Sequence, residues 1–313
     1  MSQTSAVERG IAEYYLEVTD QNLQLAVQYY KEDTNFASMV VQDDTKDVVE
    51  VAQEPPESFS LLEWNIQGLL PENLQPRVTY IAEWVNANKP DVVFLQEMVQ
   101  ETVEIFNRVC TGYEIHLPKR SNLCHYFVAI LTLKSSVQVA KKTTLNFPHS
   151  TQGRNAVVLK ARKKSQNLTL ITSHLESCKP AEEERISQLD QIWKVMSNEE
   201  GENLVVFAAD TNLRDYEVTK YKNSVGSKFD GIKDAWEDLG FPQHLRYSWD
   251  TTKNDNQIQN GKAKLRFERI YFQQKAGCHL KLREMKFVGQ DRLRCGMFPS
   301  DHWGVEVKFT KNS

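Results

Sequence analysis

Six apolar residues lead directly into a carboxylate in the segment LVVFAADTN, residues 204–212. The apolar part is typical of a buried β-strand, and Asp210 and Asn212 stand at its carboxyl end. A carboxylate in this position is costly to desolvate unless it is paired or holds a metal ion. Strand ends also favour functional side chains in α/β proteins, because a loop opens there. Asp210 is therefore the first candidate site residue.

Four further apolar strands carry polar residues at an end. Three of them finish in Asn65, Glu97 and His174, and the sequence Pro299-Ser-Asp-His302 precedes the last one. Taken singly, an Asn or Glu at a strand end is more often a turn or cap residue, and a lone His is more often structural. Five such strand ends together favour one shared site, although spacing alone does not establish that they meet in space.

Eight strands and four helices are predicted from residue 59 onward. The predicted strands are Phe59–Asn65, Asp91–Gln96, Phe127–Leu133, Asn155–Ala161, Leu168–Thr172, Leu204–Ala208, Arg269–Phe272 and Trp303–Phe309, and the helices are Leu74–Asn88, Val99–Val109, Ala181–Asn198 and Asp234–Leu239. Strands follow strands as well as helices, which disfavours a purely parallel doubly wound sheet. A mixed α/β domain with two sheets is expected.

Composition and charge narrow the class of protein. The 313 residues are 40% hydrophobic and 26% charged, which is typical of a globular protein and excludes a disordered chain or a collagen. No run of 18 apolar residues occurs and no signal peptide is expected, so neither a membrane nor a secretory role is predicted. Five scattered cysteines without a CxxC motif indicate a reducing compartment.

The N-terminal part differs in charge from the rest. Residues 1–57 hold 12 acidic and 3 basic residues, whereas residues 58–313 hold 30 acidic and 35 basic ones. Ten Lys or Arg lie between Lys262 and Arg294, which suits an anionic substrate if they form one stripe and otherwise indicates a solvated face. We expect a small helical segment at 1–34, an acidic linker at 35–57 closed by Pro55-Pro56, and a catalytic domain at 58–313.

The strand-end residues suit phosphoryl chemistry. Carboxylate and amide oxygens are the ligands that Mg²⁺ prefers, and this ion keeps several waters and binds substrate phosphate as well. Histidines such as His174 and His302 can bind phosphate oxygens and stabilise the charge that develops during in-line attack.

Several longer motifs resemble a known superfamily. Trp64-Asn-Ile66, Leu95-Gln-Glu97, Ser173-His-Leu-Glu-Ser177, Asp210-Thr-Asn-Leu-Arg-Asp215 and Ser300-Asp-His-Trp303 follow the order of the endonuclease/exonuclease/phosphatase superfamily. Four strings resemble its type-2 5′-tyrosyl-DNA phosphodiesterases in particular. They are His174-Leu-Glu-Ser177, Asp210-Thr-Asn-Leu-Arg-Asp215, Tyr247-Ser-Trp-Asp-Thr251 and Leu265-Arg-Phe-Glu-Arg269. That subfamily removes a trapped topoisomerase II peptide from a DNA 5′ end. The resemblance covers residues 58–313.

The resemblance implies a four-layer α/β/β/α sandwich and a Mg²⁺-dependent phosphodiesterase, with Mn²⁺ as a substitute. It implies that Glu97 is the direct metal ligand and that Asn65 holds metal-bound water or a phosphate oxygen. It further implies that Asp210 deprotonates the attacking water that Asn212 positions. The scissile phosphate would be bound by the remaining residues, which are His174 with Ser177, and His302 oriented by Asp301.

The resemblance also implies a DNA groove. Its matching positions are Tyr126, Arg154, Arg214, Trp249 and Phe267. Aromatic faces stack on unpaired bases without reading their sequence, and arginines contact phosphates. Without the resemblance, core packing would be the favoured role of Trp249 and Phe267.

Some positions depart from the subfamily pattern. Gln67 stands where an acid is usual, which is expected to weaken metal binding or the order of its outer waters. Ala209 replaces a glycine before Asp210 and is expected to displace that carboxylate slightly. Gln257 and Gln259 replace apolar wall residues, which affects the expected preference for DNA ends.

Partners, location and two rivals complete these expectations. Residues 1–34 resemble part of a ubiquitin-associated domain, so ubiquitin is a further expected partner, although a helical hairpin packing on the protein itself is the alternative. The substrate implies the nucleus, with the cytoplasm as a second location. The rivals are another nuclease of the superfamily, such as an apurinic endonuclease, and a non-catalytic ubiquitin-linked adaptor.

Overall fold

The computed structural model describes residues 57–119, 125–201, 203–257 and 262–311. The predicted helical segment 1–34 and all but Glu57 of the predicted linker lie outside these ranges. No helix within them has the length and apolar character needed to cross a membrane.

The described ranges contain fourteen strands and five α-helices. The strands are β1 (Ser58–Asn65), β2 (Val92–Met98), β3 (Tyr113–His116), β4 (Phe127–Leu133), β5 (Gln138–Asn146), β6 (Asn155–Lys163), β7 (Gln166–Ser173), β8 (Asn203–Asp210), β9 (Lys233–Asp234), β10 (Trp249–Asp250), β11 (Lys264–Leu265), β12 (Glu268–Gln274), β13 (Leu280–Val288) and β14 (Gly304–Lys311). The helices are α1 (Leu74–Asn88), α2 (Gln100–Val109), α3 (Glu182–Ser197), α4 (Asp215–Val225) and α5 (Ala235–Asp238).

Two six-stranded sheets and a two-stranded ribbon organise the chain. The first sheet has the order β13-β14-β1-β2-β4-β3, the second has the order β5-β6-β7-β8-β12-β9, and β10 pairs with β11. Within these sheets, β1 with β2 and β7 with β8 are the parallel pairs, and the other pairings are antiparallel. The sheets are therefore mixed, as the order of predicted elements indicates.

Alternation along β1 separates the layers, because successive side chains of a strand point to opposite faces. Phe59 and Leu61 join the apolar core between the two sheets, whereas Leu62 and Trp64 join a cluster under α1 and α2. A third cluster lies between the second sheet and helices α3 and α4. The order of layers is helix, sheet, sheet, helix, and the predicted four-layer α/β/β/α sandwich is confirmed.

The predicted strands and helices recur with shifted ends, but six strands and one helix were missed, and three of those strands (β9, β10 and β11) are only two residues long. β5 is a mostly exposed edge strand without apolar alternation, and α4 buries only Glu217, Val218 and Tyr221. β13 lies within the basic region, where its charges obscure Leu280 and Leu282. The expected basic stripe is also broken, because Arg266 and Arg269 are buried in ion pairs with Asp234 and Asp215.

Asp91 joins the two sheets at the end of the sandwich opposite to Asn65 and Asp210. Its carboxylate accepts hydrogen bonds from Ser60 and Ser136 of the first sheet's side and pairs with Lys163 on β6 of the second sheet. One buried acid thereby joins the two sheets at this end.

A fully buried ion pair joins the two outer helices of the second sheet. Arg185 on α3 donates from Nη2 to Glu217 Oε1 on α4 at 2.7 Å, and both side chains are completely buried. Arg185 also donates to the carbonyls of Glu176 and Cys178, so it fixes the loop that follows β7.

We expect Glu217→Ala to lower the free energy of unfolding by about 3–5 kcal/mol, because it leaves a buried guanidinium without its partner. The matched control is Asp238→Ala, which removes the partly exposed partner of Lys233 and should cost less than about 1 kcal/mol. Urea unfolding followed by circular dichroism measures both. Equal losses in the two variants would contradict this role of the buried pair.

Candidate active site

The ends of two strands from different sheets meet at one hydrogen-bonded cluster. Asn65 ends β1 and Asp210 ends β8, and Asn65 Nδ2 donates to Asp210 Oδ2 at 2.9 Å. The same Nδ2 lies 3.2 Å from Glu97 Oε1 at the end of β2. A second link between the sheets lies beside it, where Gln96 donates to Thr172. The predicted strand-end residues therefore do converge.

Asp210 is buried between two imidazole rings. His174 Nε2 lies 3.1 Å from Asp210 Oδ2, and His302 Nε2 lies 4.0 Å from the same oxygen. Burial alone would raise the pKa of Asp210, but the charge and hydrogen bond of His174, then His302 and Asn65, outweigh burial and hold this pKa below its usual value. Asp210 is thus a buried carboxylate that stays ionised.

Asn212 shapes the turn after β8. Its backbone N–H donates to Asp210 Oδ1 at 3.0 Å, its side chain donates to the carbonyl of Leu175, and its φ of 51° is left-handed. Asn tolerates this conformation better than most residues. The structure therefore gives Asn212 a place in fixing the Asp210 carboxylate, while its predicted contact with the attacking water stays a prediction.

The partner that orients His302 is Glu268 rather than the predicted Asp301. His302 Nδ1 lies 2.6 Å from Glu268 Oε1, whereas the Asp301 carboxylate lies 3.8 Å from the other ring nitrogen and accepts from Trp249 Nε1. The short contact with Glu268 fixes the ring because it uses Nδ1 and leaves Nε2 facing Asp210. Asp301 instead connects the His302 loop to Trp249.

Two buried acids of this region escaped the sequence analysis. Glu268 begins β12 directly opposite Asp210 in the strand register, a pairing that the predicted strand start at Arg269 concealed. Glu63 lies two residues before Asn65 on the same face of β1, and both of its oxygens are buried without a hydrogen-bond partner among the described residues. Burial, then the neighbouring Glu268 and Asp210 charges, raises the pKa of Glu63 well above its usual value.

Backbone contacts fix the first loop of the site. Buried Arg77 on α1 donates to the carbonyls of Gln67 and Pro299, so it joins the loop after β1 to the loop before His302. Gln67 Oε1 accepts from the backbone of Asp301, so the amide has a structural contact of its own. At Gly68 a Cβ would lie 2.1 Å from the carbonyl oxygen of Glu97, which explains the glycine.

The residues around Glu97 fit a hydrated divalent ion. Glu97 is half-buried, has a left-handed φ of 56° and lies within a register shift of β2, between Leu95 and Met98. Hydrated Mg²⁺ suits such a partly exposed carboxylate. Asn65 Oδ1 already accepts from the Gln67 backbone, so Asn65 offers mainly its N–H donors to this place.

A second group of ligand atoms lies deeper. Asp210, Glu268 and His302 place one ligand atom each within 4.8 Å of one another, and all three are buried. The raised pKa of His302 favours a protonated ring that cannot ligate a metal ion, so the partly exposed carboxylate of Glu97 is the better Mg²⁺ ligand of the two places.

The His174 side of the cluster carries Tyr126, Arg154 and Ser177. The Arg154 guanidinium lies 5.1 Å from the centre of the Tyr126 ring and donates to Ser177 and Gln152. Tyr126, Gln152 and Arg154 line one pocket together with His174 and Asn155. Glu176 anchors the neighbouring loop through its contacts with Ser150, Thr151 and Gln152, a role that its position in the predicted motif did not reveal.

The His302 side carries the predicted aromatic wall. Trp249 and Phe267 pack at 5.6 Å between ring centres, and each lies within 6.4 Å of the His302 ring. Arg214 lies 5.6 Å above the Phe267 ring and follows directly after the turn of Asp210. Each aromatic side chain is only 7% exposed, so each contributes to packing as well as to the crevice surface.

The positions that depart from the subfamily pattern are Gln67, Ala209, Gln257 and Gln259. Ala209 lies in regular strand conformation within β8, with its methyl group in the cluster under α3 and α4. Any effect of Ala209 or Gln67 on rate stays a prediction. Gln257 is described, whereas Gln259 lies outside the described residues.

We expect Glu268→Gln to lower the pKa of His302, measured by NMR titration of its ring in metal-free protein. Burial disfavours the charged ring, but Glu268, Asp301 and Asp210 raise its pKa well above the usual value. A raised pKa adds to stability below about pH 6.5 and the addition is lost as the pH rises through the folded pKa. The free energy of unfolding of the native chain should therefore fall more steeply than that of the variant as the pH rises from about 6.5 through the folded pKa of His302.

Glu237→Gln is the control for this titration, because Glu237 pairs with Lys222 on the surface. It should leave the titration of His302 unchanged. An unchanged midpoint in Glu268→Gln would show that Glu268 does not hold the charge of His302.

Comparisons with known proteins show the family of this chain. The model of the endonuclease/exonuclease/phosphatase family matches residues 62–256. Tyrosyl-DNA phosphodiesterase 2 of Gallus gallus is 43% identical over 253 residues, which are 80% of this chain and 67% of that protein. The Homo sapiens protein of the same name is 38% identical over 81% of this chain and 68% of its own length.

Solved structures show the same likeness. The crystal structure of Danio rerio TDP2 complexed with single-strand DNA product has a TM-score of 0.76 and 32% identity, covering 81% of this chain and 99% of that one. A family protein from Bacteroides thetaiotaomicron, 13% identical with a TM-score of 0.63, covers 83% of this chain and all of that one, and shares the fold. The chain therefore belongs to the endonuclease/exonuclease/phosphatase family of hydrolases and, within it, to the tyrosyl-DNA phosphodiesterase 2 group.

Proposed function

We propose that this chain is a Mg²⁺-dependent phosphodiesterase that hydrolyses the bond between a protein tyrosine and a DNA 5′-phosphate, leaving a 5′-phosphate. The observation that carries the proposal is the ionised, buried Asp210 between His174 and His302, beside the half-buried Glu97. It is supported by the group to which the chain belongs and by the relative whose structure holds single-strand DNA product.

Asp210 is the base of the proposed reaction. Its carboxylate is ionised and its Oδ1 is fixed by the Asn212 backbone, so it accepts the proton of a water placed against the phosphate. The water oxygen bonds to phosphorus as the bond from phosphorus to the tyrosine oxygen breaks. Tyrosine leaves readily because its reference pKa is about 10, far below that of a sugar hydroxyl, so a strong acid is not needed.

The two histidines and Asn65 bind the phosphate. Protonated His302 turns Nε2 toward the crevice, because Glu268 holds its other nitrogen, and it donates to a phosphate oxygen. In the structure the donors of His174 and of the Asn65 amide bind Asp210, and in the proposal they are shared with the same phosphate oxygens. Glu97 would hold the metal ion, with Asn65 at its water shell, and the ion when bound supplies charge neutralisation for the phosphate.

The DNA strand is proposed to run over Trp249, Phe267 and Arg214. Their rings and guanidinium suit unpaired bases and a backbone phosphate. Topoisomerase II is the proposed protein adduct, and a nuclear location follows from it as a proposal. Ubiquitin binding by residues 1–34 also stays a proposal and falls outside the described residues.

Asp210→Asn is expected to lower turnover of a 5′-phosphotyrosyl oligonucleotide by about 100-fold or more, because the base is lost. DNA binding should remain within about threefold, since the amide keeps the shape of the site. Gel analysis with Mg²⁺ and with EDTA should show a 5′-phosphate product only with the metal.

Glu97→Ala should lose activity and recover part of it at high Mg²⁺.

Asp255→Asn is the control, because Asp255 pairs with exposed Arg292. Near-normal turnover in Asp210→Asn would refute its role as the base. Faster cleavage of abasic duplex DNA would favour the apurinic endonuclease rival. A folded protein that cleaves neither substrate would favour the adaptor.

Arg214→Ala is expected to weaken binding of single-stranded DNA and to lower the slope of log K against log salt by about 0.7, the value of one single-strand phosphate contact. Fluorescence anisotropy over a range of salt concentrations measures the slope. Arg108→Ala, on the exposed side of α2, should leave it unchanged. An unchanged slope in Arg214→Ala would contradict the proposed phosphate contact.

A further inference from the structure

The crevice has two chemically different ends on either side of Asp210. Trp249, Phe267 and Arg214 adjoin His302, next to β12 and β14. Tyr126 and Arg154 adjoin His174 instead, next to β4 and β6. In the first sheet β14 and β4 lie on opposite sides of β1 and β2, and in the second sheet β12 and β6 lie on opposite sides of β7 and β8. A bound substrate that crosses Asp210 must therefore leave the site at both ends.

The substrate itself has two arms. Phosphorus carries the DNA oxygen on one side and the tyrosine oxygen on the other, and hydrolysis breaks only the bond to tyrosine. If the DNA bases lie on Trp249 and Phe267, as the proposed function has it, the polypeptide leaves past Tyr126 and Arg154, so these two residues contact the polypeptide rather than the DNA groove in which the resemblance placed them.

An exposed sheet edge begins at this end. Asn155 lines the pocket with Arg154, and its cross-strand partner on β5 is Asn146. β5 pairs only with β6 among the described strands, and most of its residues are exposed. An edge strand offers unpaired backbone N–H and C=O groups to an extended peptide.

This edge is basic. Lys119, Lys141 and Lys142 are exposed, and among the described residues none of them makes an ion pair, unlike Lys160 and Lys163 on neighbouring β6. The backbone of Lys119 donates to Thr144 on β5, which brings its segment to the same edge. Lys142 is four residues from Asn146, or about 13 Å at 3.3 Å per residue.

We propose that the β5 edge, with Lys119, Lys141 and Lys142, binds the polypeptide that leaves with the tyrosine and selects acidic sequences. The inference rests on the proposed function and adds a peptide specificity to it. Because the lysines are positively charged, the peptide that they bind should be acidic. The distance of about 13 Å from Asn146 to Lys142 places the acidic side chains four or five residues from the tyrosine.

The experiment uses oligonucleotides whose 5′-phosphate carries tyrosine alone or tyrosine within an eleven-residue peptide. One peptide has Glu at the fourth and fifth positions on both sides of the tyrosine, and the other has Lys there. The enzyme variants are Lys141→Glu/Lys142→Glu and the control Lys281→Glu/Lys308→Glu, whose exposed lysines lie on β13 and β14 at the far side of the first sheet.

At low salt we expect kcat/KM of the native chain to favour the acidic peptide by about 3- to 10-fold, as for a few exposed charge pairs. The β5 variant should lose or invert this preference and keep its rate on tyrosine alone within about twofold. The control variant should behave as the native chain.

Two results would overturn the inference. One is a native chain that cleaves both peptides equally well. The other is a β5 variant that slows all three substrates equally, with a loss that grows with oligonucleotide length, because the lysines would then bind DNA. Failure to cleave the tyrosine-only substrate would instead overturn the proposed function, so the two failures are distinguishable.

Discussion

The hydrogen bond from Asn65 to Asp210 joins the two sheets at the end of the sandwich that carries the candidate site, and the geometry of that site depends on it. Asp210 lies in a place where a lone carboxylate would be too costly to bury. Its charge is kept there because Asn65 donates from the first sheet and His174 from the second. Neither sheet holds this proposed base by itself, so the sandwich and the candidate site form together.

Compensation of buried charge extends outward from this bond. Glu268 faces His302, and Arg77 satisfies the carbonyls of the loop that carries Gln67. Farther out, Glu217 holds Arg185, which fixes the loop behind His174. In each ion pair, one buried charge compensates the other. Removal of one partner therefore leaves the other charge buried without compensation.

The sequence predicted the layers well, because alternation and apolar runs are local signals. Phe59 to Asn65 and Leu204 to Asp210 carry both the strand and its polar end within one short segment. β5 and α4 escaped because they lie at the surface and bury little, so no period of apolar residues marks them. Their placement is set by pairing with β6 and by packing on α3, which are contacts distant in sequence.

The candidate site divides in the same manner. Residues at strand ends were found, whereas the partner of His302 was misassigned to adjacent Asp301 because proximity in sequence suggested it. Glu268 is 34 residues away and reaches the ring only through the register of β12 with β8. Glu63 was overlooked because it stands inside an apolar strand, where its inward direction follows from the sandwich alone.

The spacing between the sheets is therefore a shared variable of stability and catalysis. The pair of Asp91 and Lys163 joins the sheets at one end, and the hydrogen bond from Asn65 to Asp210 joins them at the other. Side chains such as Phe94 and Val206 fill the space between the sheets. A larger side chain between the sheets would move the two sides of the candidate site apart without contacting either. Exchanges that conserve volume should therefore be tolerated best between the sheets, because added volume would change the distance between Asn65 and Asp210.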